Sequence, residues 1–152
     1  MAEASKIMTM KEAISQFVDD GMTVYISAVW ANHAAAAAHE IIRQGKKNLT
    51  LVESSPGEIF DQMIGAGCVK RLIISWCANE AFGTSYRFRR AVEKGLIEVE
   101  DYSNFGLTAK LMAGAMGIPF MPILSQQGSS INEIKSFLGE NKLKHIACPF
   151  TG

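Results

Sequence analysis

Residues 49–76 read LTLVESSPGEIFDQMIGAGCVKRLIISW and predict a strand, a helix and a second strand in that order. The apolar run at 49–53 is typical of a strand, and the run at 71–76 lacks polar alternation, as expected for a strand covered on both faces. Between them, Ser55 and Glu58 have the spacing of a capping box, with a proline at the first helical position. Two strands joined by a helix form a right-handed crossover, which places them parallel in one sheet.

The same alternation extends along the whole chain. Thr9 with Glu12, and Ser130 with Glu133, have capping-box spacing, and Ser103 can cap a further helix. We expect the remaining strands at residues 23–27, 97–100, 120–123 and 144–147, and the remaining helices from Thr9, at 32–44, at 85–94, from Ser103 and from Ser130. Six strands alternating with six helices predict an α/β fold, an open and mostly parallel sheet with helices on both faces, as a single domain over residues 1–152.

Composition excludes several classes of protein. Of 152 residues, 48% are apolar and 20% are charged, which is typical of a globular protein. Lysine plus arginine and aspartate plus glutamate both number 15, so the chain lacks the basic face of a nucleic-acid binder. No apolar run reaches the ~20 residues of a membrane span, and we expect no membrane partner. Cys68, Cys77 and Cys148 lack disulfide or zinc spacing, so we expect a cytoplasmic protein.

Ligands of open parallel sheets bind beyond the carboxyl ends of the strands. The segments expected there are 27–33, 53–57, 77–84, 101–104 and 124–130. A dinucleotide site is excluded because no G-x-G-x-x-G follows the first strand, and no P-loop motif occurs. Gly65-Ala66-Gly67 precedes a strand and is interpreted as a plain turn.

The segment Gln127-Gly128-Ser129-Ser130 is the most specific candidate. Its glycine and two hydroxyl residues precede a predicted helix, so N–H and O–H donors would converge on a carboxylate or phosphate. The alternative is that the serines only cap the helix. Both interpretations stay open at this stage.

Other candidates are weaker, and each has a structural alternative. His33 could contact a ligand, whereas His39 is expected to be structural. Cys77 could be a nucleophile or a small half-buried residue. Arg87 or Arg90 could hold an anion, whereas Arg89 and Glu93 are spaced to pair on the solvent face. The acids near strand ends could be catalytic carboxylates, caps or surface partners; they are Glu53, Glu80, Glu100 and Asp101.

Five stretches together resemble one family. In order, they are KIMTMKEAISQFVDDGMTV, HEIIRQGKKNLTLV, MIGAGCVKRLI, FRRAVEKGLIEVEDYS and MGIPFMPILSQQGSS. They resemble the α subunits of family I coenzyme A transferases, of the glutaconate CoA-transferase type. The resemblance covers essentially all 152 residues and corresponds to the N-terminal half of such a subunit. HIACPFTG at the end resembles a mid-chain stretch of the family.

This resemblance implies a NagB/RpiA/CoA-transferase-like fold and transfer of CoA between carboxylic acids. It also implies a β-subunit partner in an α/β heteromer, which could be a heterotetramer or larger. The nucleophilic glutamate of the family belongs to the β subunit, so no catalytic residue is expected in this chain. Acyl-CoA and a small carboxylic acid are then substrates, and no cofactor is expected to stay bound.

Substrate-binding residues are expected at the first strand end, in the 127–130 segment and on one arginine; they are Ser27, Ala28, Gln127, Gly128, Ser129, Ser130 and Arg87. Family members commonly carry Gly-Gly-Phe where this chain has Ser27, Ala28 and Val29, so Ser27 could donate a hydrogen bond there. Two alternatives remain: a CoA-ester hydrolase or lyase on the same fold, and a non-catalytic binding module. The segment Glu100-Asp101-Tyr102-Ser103-Asn104 resembles the transferase version of the family more than the hydrolase version.

Overall fold

The computed structural model describes residues 7–27, 33–134, 136–139 and 144–150. Within them, one four-stranded sheet has its strands in the order of the sequence, and every neighbouring pair is parallel. The strands are β1 (Thr23–Tyr25), β2 (Leu49–Val52), β3 (Val69–Ile74) and β4 (Glu98–Asp101). The predicted α/β class and parallel sheet are confirmed.

Five α-helices accompany the strands in the described part of the chain. They are α1 (Met10–Phe17), α2 (Ala35–Arg43), α3 (Glu58–Gly65), α4 (Tyr86–Glu93) and α5 (Asn104–Met116). Short 3-10 turns cover Glu80–Phe82 and Ser130–Glu133. The helix bounds differ by one to three residues from the predictions at 32–44 and 85–94, and residue 32 lies outside the described residues.

The sheet has an apolar core on each face. Leu51 and Leu72 point into the larger core, where they pack with side chains of α2 and α3. On the other face, Val52 packs with Leu107 of α5. Side chains alternate between the faces of a strand, so neighbouring residues of β2 bury against different helices. Full burial of a side chain such as Leu72 contributes about 1.5–3 kcal/mol. The helices therefore cover both faces of the sheet, as predicted.

The predicted fifth and sixth strands are wrong. Residues 120–124 and 144–148 form no strand, and Phe120, Leu124 and Ile146 are exposed. A strand forms only where a neighbouring backbone completes its hydrogen bonds. In the described part of the chain, β4 pairs only with β3, and no segment adds to its outer side. The apolar pattern indicated surface to be covered, but it contained no information about a pairing partner.

Two of the three predicted capping boxes are also wrong. The helix α3 begins after Gly57 without a side-chain cap, and the Ser55 hydroxyl instead donates to Asn104 Oδ1 at 3.0 Å. Ser129, not Ser130, caps the next turn, and its Oγ accepts from the Ile131 N–H at 3.2 Å. That turn ends at Glu133 instead of continuing as a helix through residue 138. The Ser55 hydroxyl thus bonds to a distant helix start, whereas Ser129 caps the turn two residues ahead of it.

The other two predicted caps are confirmed. Thr9 Oγ1 accepts from the Glu12 N–H at 3.3 Å, and Glu12 Oε2 accepts from the Thr9 N–H at 2.8 Å. These bonds lower the pKa of Glu12. Ser103 Oγ accepts from the Gly106 N–H at 2.9 Å at the start of α5. Both caps join residues three apart, so sequence spacing could indicate them, although the same spacing at Ser55 and Ser130 forms no cap.

The start of α4 is capped by another helix. Ser85 precedes α4 but makes no side-chain cap, whereas Asp61 of α3 accepts from the backbone N–H groups of Arg87 and Phe88 at 2.8 and 2.9 Å. Asp61 is buried, and one of its oxygens lies 3.9 Å from the Arg87 guanidinium. This carboxylate therefore joins α3 to α4 as well as capping a helix.

We expect Asp61→Ala to lower the free energy of unfolding by about 1–3 kcal/mol, because two buried N–H groups lose their acceptor. Glu93→Ala is the control, since it removes an exposed carboxylate that pairs with Arg89 at 2.8 Å on the same helix. Its loss should stay below about 0.5 kcal/mol. Urea unfolding followed by circular dichroism measures both. Equal losses in the two variants would contradict the capping role of Asp61.

Candidate functional site

Polar side chains gather where the parallel strands end. The β1 end brings Tyr25 close to Glu53, which follows β2, and the two side chains are hydrogen-bonded. Burial raises the pKa of the Tyr25 hydroxyl, and the bond to Glu53 raises it further. Ser27 is half-buried just beyond β1, and its carbonyl accepts from the Ala34 N–H at 2.9 Å. Ala28 lies outside the described residues.

Two histidines differ in their surroundings. His33 precedes α2, and its Nδ1 lies 2.8 Å from Glu58 Oε1 at the start of α3. His39, on α2, bonds through Nε2 to Gln62 Oε1 at 2.8 Å. The His33–Glu58 contact therefore spans the entrances of two helices at the carboxyl edge of the sheet, whereas His39 joins two helix surfaces. A ligand role for His33 stays a prediction.

The start of α5 connects several loops of this edge. Asn104 accepts from the Ser55 hydroxyl, which lies in the loop after β2. Ser103 Oγ lies 3.2 Å from Ser125 Oγ and 3.4 Å from Gln126 Oε1. Gln126 also lies against Gly106, where a Cβ would collide with its side-chain oxygen. The chain can approach α5 this closely because position 106 is a glycine.

These contacts bring the predicted segment 127–130 beside the first turn of α5. Gln127, Gly128 and Ser130 are exposed, and Ser129 is half-buried. Gly128 has a φ of +72°, a conformation that favours glycine, and nothing lies within 4 Å of the position of a Cβ there. The segment is therefore open toward solvent at the same sheet edge as Ser27. Whether it binds an anion stays a prediction.

Arg87 lies apart from that segment. Its aliphatic stem packs against Gly65 near the end of α3, and its guanidinium faces Asp61. The predicted pair of Arg89 and Glu93 is confirmed, with Nε and Oε1 2.8 Å apart. Gly65-Ala66-Gly67 forms the turn after α3, as predicted. In this structure the Arg87 side chain serves helix packing, and anion binding by it stays a prediction.

Two acids predicted as candidates are buried and act as acceptors. Glu53 Oε1 accepts from the Ser54 N–H at 2.7 Å and lies 3.2 Å from the Ser54 hydroxyl. Glu100 Oε2 accepts from the Ser136 hydroxyl at 2.7 Å and from the Phe137 N–H at 3.1 Å. Their exposed fractions are 4% and 1%. Both carboxylates are therefore unsuited to attack a substrate from their present positions.

Cys77 follows β3 at the same edge. Burial raises the pKa of its thiol to about 11, against a small lowering by the bond to Ser85 at 3.7 Å. The thiolate is the nucleophilic form, and a thiol with this pKa is almost entirely protonated at neutral pH, so it is a poor nucleophile. This favours the structural interpretation of Cys77 over the catalytic one.

The described residues contain no group of three or more His, Cys, Asp or Glu side chains arranged to hold a metal ion. Among the helices described, none combines the length and apolar character needed to cross a bilayer.

Sequence reasoning missed three residues of this region. Tyr25 was not singled out because exposed strand tyrosines are common. Asp61 was missed because its partners lie 26 and 27 residues away. Gln126 has a φ of +71° and is buried, and only the glycine at position 106 could have indicated its close approach.

Known proteins share both the sequence and the fold. The chain is 40% identical over 151 residues to the A-type subunit of 3-oxoadipate CoA-transferase from Pseudomonas knackmussii, covering 97% of this chain and 52% of that protein. It is 34% identical over 158 residues to the A-type subunit of glutaconate CoA-transferase from Acidaminococcus fermentans, covering 96% and 49%. The chain thus spans about half the length of these relatives.

Solved structures give the same result. The crystal structure of glutaconate coenzyme A-transferase from Acidaminococcus fermentans matches with a TM-score of 0.86 at 33% identity, over 97% of this chain and 50% of that one. The crystal structure of a variant of the decarboxylase AibA/AibB matches with a TM-score of 0.81 at 23% identity, over 95% and 54%, which shows a shared fold alone. The family profile described as Coenzyme A transferase matches residues 7–148. With nearly its whole length matched, the chain belongs to the coenzyme A transferase family.

Proposed function

We propose that this chain is the N-terminal α/β domain of a CoA-transferase α subunit, and that it acts with a β-type partner that carries the nucleophilic glutamate. The reaction moves CoA from an acyl-CoA to a free carboxylic acid. CoA is then a substrate, not a resident cofactor. We place the enzyme in the cytosol, as an α/β heteromer. The names of the two relatives support this proposal.

One observation carries it. The carboxyl edge of the sheet presents hydroxyl and amide donors to solvent. Glu53 and Glu100 are buried there as acceptors of hydrogen bonds from their own chain, and the partly exposed Glu58 is paired with His33. A chain with exposed donors and engaged carboxylates suits binding of an acid and stabilisation of an oxyanion. It does not suit nucleophilic attack, so the nucleophile is expected to come from the partner.

The chemistry divides accordingly. The partner's glutamate carboxylate attacks the thioester carbonyl, and the CoA thiolate leaves as an anhydride forms. The thiolate then attacks the glutamyl carbonyl of that anhydride, which releases the first acid and leaves a glutamyl-CoA thioester. The acceptor acid then attacks the glutamyl-CoA thioester, which forms a second anhydride and releases the CoA thiolate. The thiolate attacks the acceptor carbonyl of this anhydride, which gives the new acyl-CoA and frees the glutamate carboxylate. In this chain, the Ser27 hydroxyl would donate a hydrogen bond near the thioester, and the segment 127–130 would hold the carboxylate of the free acid with hydrogen-bond donors.

The first test traps the intermediate. We expect the full α/β complex, incubated with an acyl-CoA and borohydride, to yield a reduced glutamate on the β subunit, because hydride reduces the thioester. Peptide mass spectrometry locates the modified residue. Reduction of a glutamate in this chain would contradict the proposal. CoA release without any acceptor acid would indicate a hydrolase instead.

The chain by itself should show no transferase activity, because Glu53 and Glu100 at the sheet edge are buried and already accept hydrogen bonds. The assay follows labelled acetyl-CoA against a panel of dicarboxylic and aromatic acids. Robust turnover by the isolated chain, lost on replacing one of its own glutamates, would refute the division of roles.

The third test concerns the acid site. In the complete enzyme, we expect Gly128→Val to raise the KM for the free acid several-fold, because its side chain would fill open space at the ligand. Gly21→Val is a matched control: Gly21 has a φ of +82°, also has nothing within 4 Å, and precedes β1 at the opposite sheet edge. Both variants strain a left-handed backbone by about 1–2 kcal/mol. Equal KM values for the two variants would count against the site.

Serine variants separate binding from capping. Ser129→Ala should lower stability by about 0.5–2 kcal/mol, since Ser129 is the cap, contrary to the sequence-based expectation that Ser130 would remain as one. Ser130→Ala should leave thermal stability unchanged and raise the KM for the acid, because its hydroxyl is exposed beside Gly128. If Ser130→Ala leaves the KM for the acid unchanged while Ser129→Ala loses stability, the segment only caps the turn and does not bind the acid.

A further inference from the structure

The segment that carries the proposed acid site continues into a turn at residues 136–139, and this turn is attached to the sheet through one buried carboxylate. We propose that Glu100 is a positioning residue that holds the 127–130 segment in place for the acid substrate. This inference rests on the proposed function, because it concerns the same site. Glu100 does not touch the substrate, and it acts through the loop.

The contacts of Glu100 support this role. One oxygen, Oε2, accepts from both the Ser136 hydroxyl at 2.7 Å and the Phe137 N–H at 3.1 Å. The Ser136 hydroxyl oxygen in turn accepts from the Leu138 N–H at 3.0 Å. Hydrogen bonds to an ionised carboxylate are roughly twice as strong as neutral ones. Glu100 is only 1% exposed, so water does not compete for these bonds.

Neighbouring charges reinforce the attachment. Glu98 and Glu100 are two residues apart on β4, so their side chains lie on the same face of the sheet as Arg71 of β3. The Arg71 guanidinium lies 5.1 Å from the centre of the Phe137 ring and 3.4 Å from Glu98. Tyr102 lies close to Glu100, and burial followed by this charge raises the pKa of Tyr102. The turn thus packs over β3 and β4 instead of projecting into solvent.

The other end of the segment is held separately. Ser103, which caps the start of α5 three residues after Glu100, contacts Ser125 and Gln126. The short stretch 100–106 therefore holds the chain both before and after residues 127–130. Between these two attachments, Gly128 and Ser130 are exposed. A loop fixed at both ends loses little conformational entropy when it binds a ligand.

This arrangement also distinguishes Glu100 from a catalytic acid. Loss of a positioning residue should weaken binding of the acid, because the donors of the segment would sample many positions. Binding of the acyl-CoA should change little, because the proposal gives the segment no contact with the CoA moiety. Loss of a catalytic carboxylate would instead lower kcat at saturating substrate.

The experiment uses the assembled enzyme with Glu100→Ala, Glu100→Gln and Ser136→Ala. We expect Glu100→Ala to raise the KM for the acid about tenfold, as lost charge-assisted bonds would, with kcat and the acyl-CoA KM nearly unchanged. Glu100→Gln, which keeps an acceptor oxygen, should restore part of the loss. Ser136→Ala should give a smaller increase. Glu93→Gln is the control, because Glu93 is an exposed carboxylate on α4 that pairs with Arg89, outside the contacts that hold the turn.

Hydrogen exchange supplies the second readout. Amide exchange of residues 125–138 should increase in Glu100→Ala and Ser136→Ala, with the rest of the chain unchanged, whereas Glu93→Gln should match the parent. If Glu100→Ala unfolds the domain, the acid KM and the amide exchange of Ser136→Ala test the inference. Unchanged exchange in the segment, a fall in kcat alone, or equal effects of Glu100→Ala and Glu93→Gln would overturn the inference.

The two proposals fail in different ways. If Ser130→Ala leaves the acid KM unchanged, the proposed acid site is wrong. In that case, local exchange in Glu100→Ala still shows whether Glu100 holds the segment. If Ser130→Ala raises the KM while Glu100→Ala changes neither exchange nor KM, the acid site stands and the role of Glu100 is refuted.

Discussion

The backbone pairing of β3 with strands on both sides fixes the relative positions of the loops in this protein. Because β2 and β4 both run parallel to β3, residues 53 and 102 emerge at one edge of the sheet. Leu72 of β3 is fully buried beneath α2 and α3, so the pairing cannot shift without exposing the core. The contact between Ser55 and Asn104, 49 residues apart, exists only because of this register.

The sequence was sufficient for features that depend on neighbouring residues. The caps at Thr9 and Ser103, and the four strands of the sheet, follow from spacing and apolar runs. Features that depend on distant partners were predicted poorly. Ser55 has the spacing of a cap but bonds to another helix, and α4 takes its cap from Asp61. The segment 120–123 has the composition of a strand, yet β4 offers it no pairing in the described residues.

The candidate site shows the same limit. The glycine and hydroxyl residues at 127–130 could be identified from their types, and the parallel topology implied the correct sheet edge. Their surroundings could not be identified, because Gln126 adopts a left-handed backbone conformation that glutamine rarely takes. The position of Arg87 was equally hidden, since its stem reaches Gly65 only through the packing of α3 against α4.

Buried carboxylates near the carboxyl ends of the strands have structural roles. A parallel sheet leaves backbone N–H groups unpaired where each strand ends and the loop begins, and a buried carboxylate can accept from several of them. Glu53 accepts from one N–H and one hydroxyl of its own loop, Asp61 from two N–H groups at the start of α4, and Glu100 from one hydroxyl and one N–H of a turn 36 residues away. Each carboxylate thereby orders a loop at the edge where a ligand would bind. The burial that makes these acids good anchors also keeps them from the substrate, so Glu53, Asp61 and Glu100 order the loops and are unsuited to act as nucleophiles from these positions.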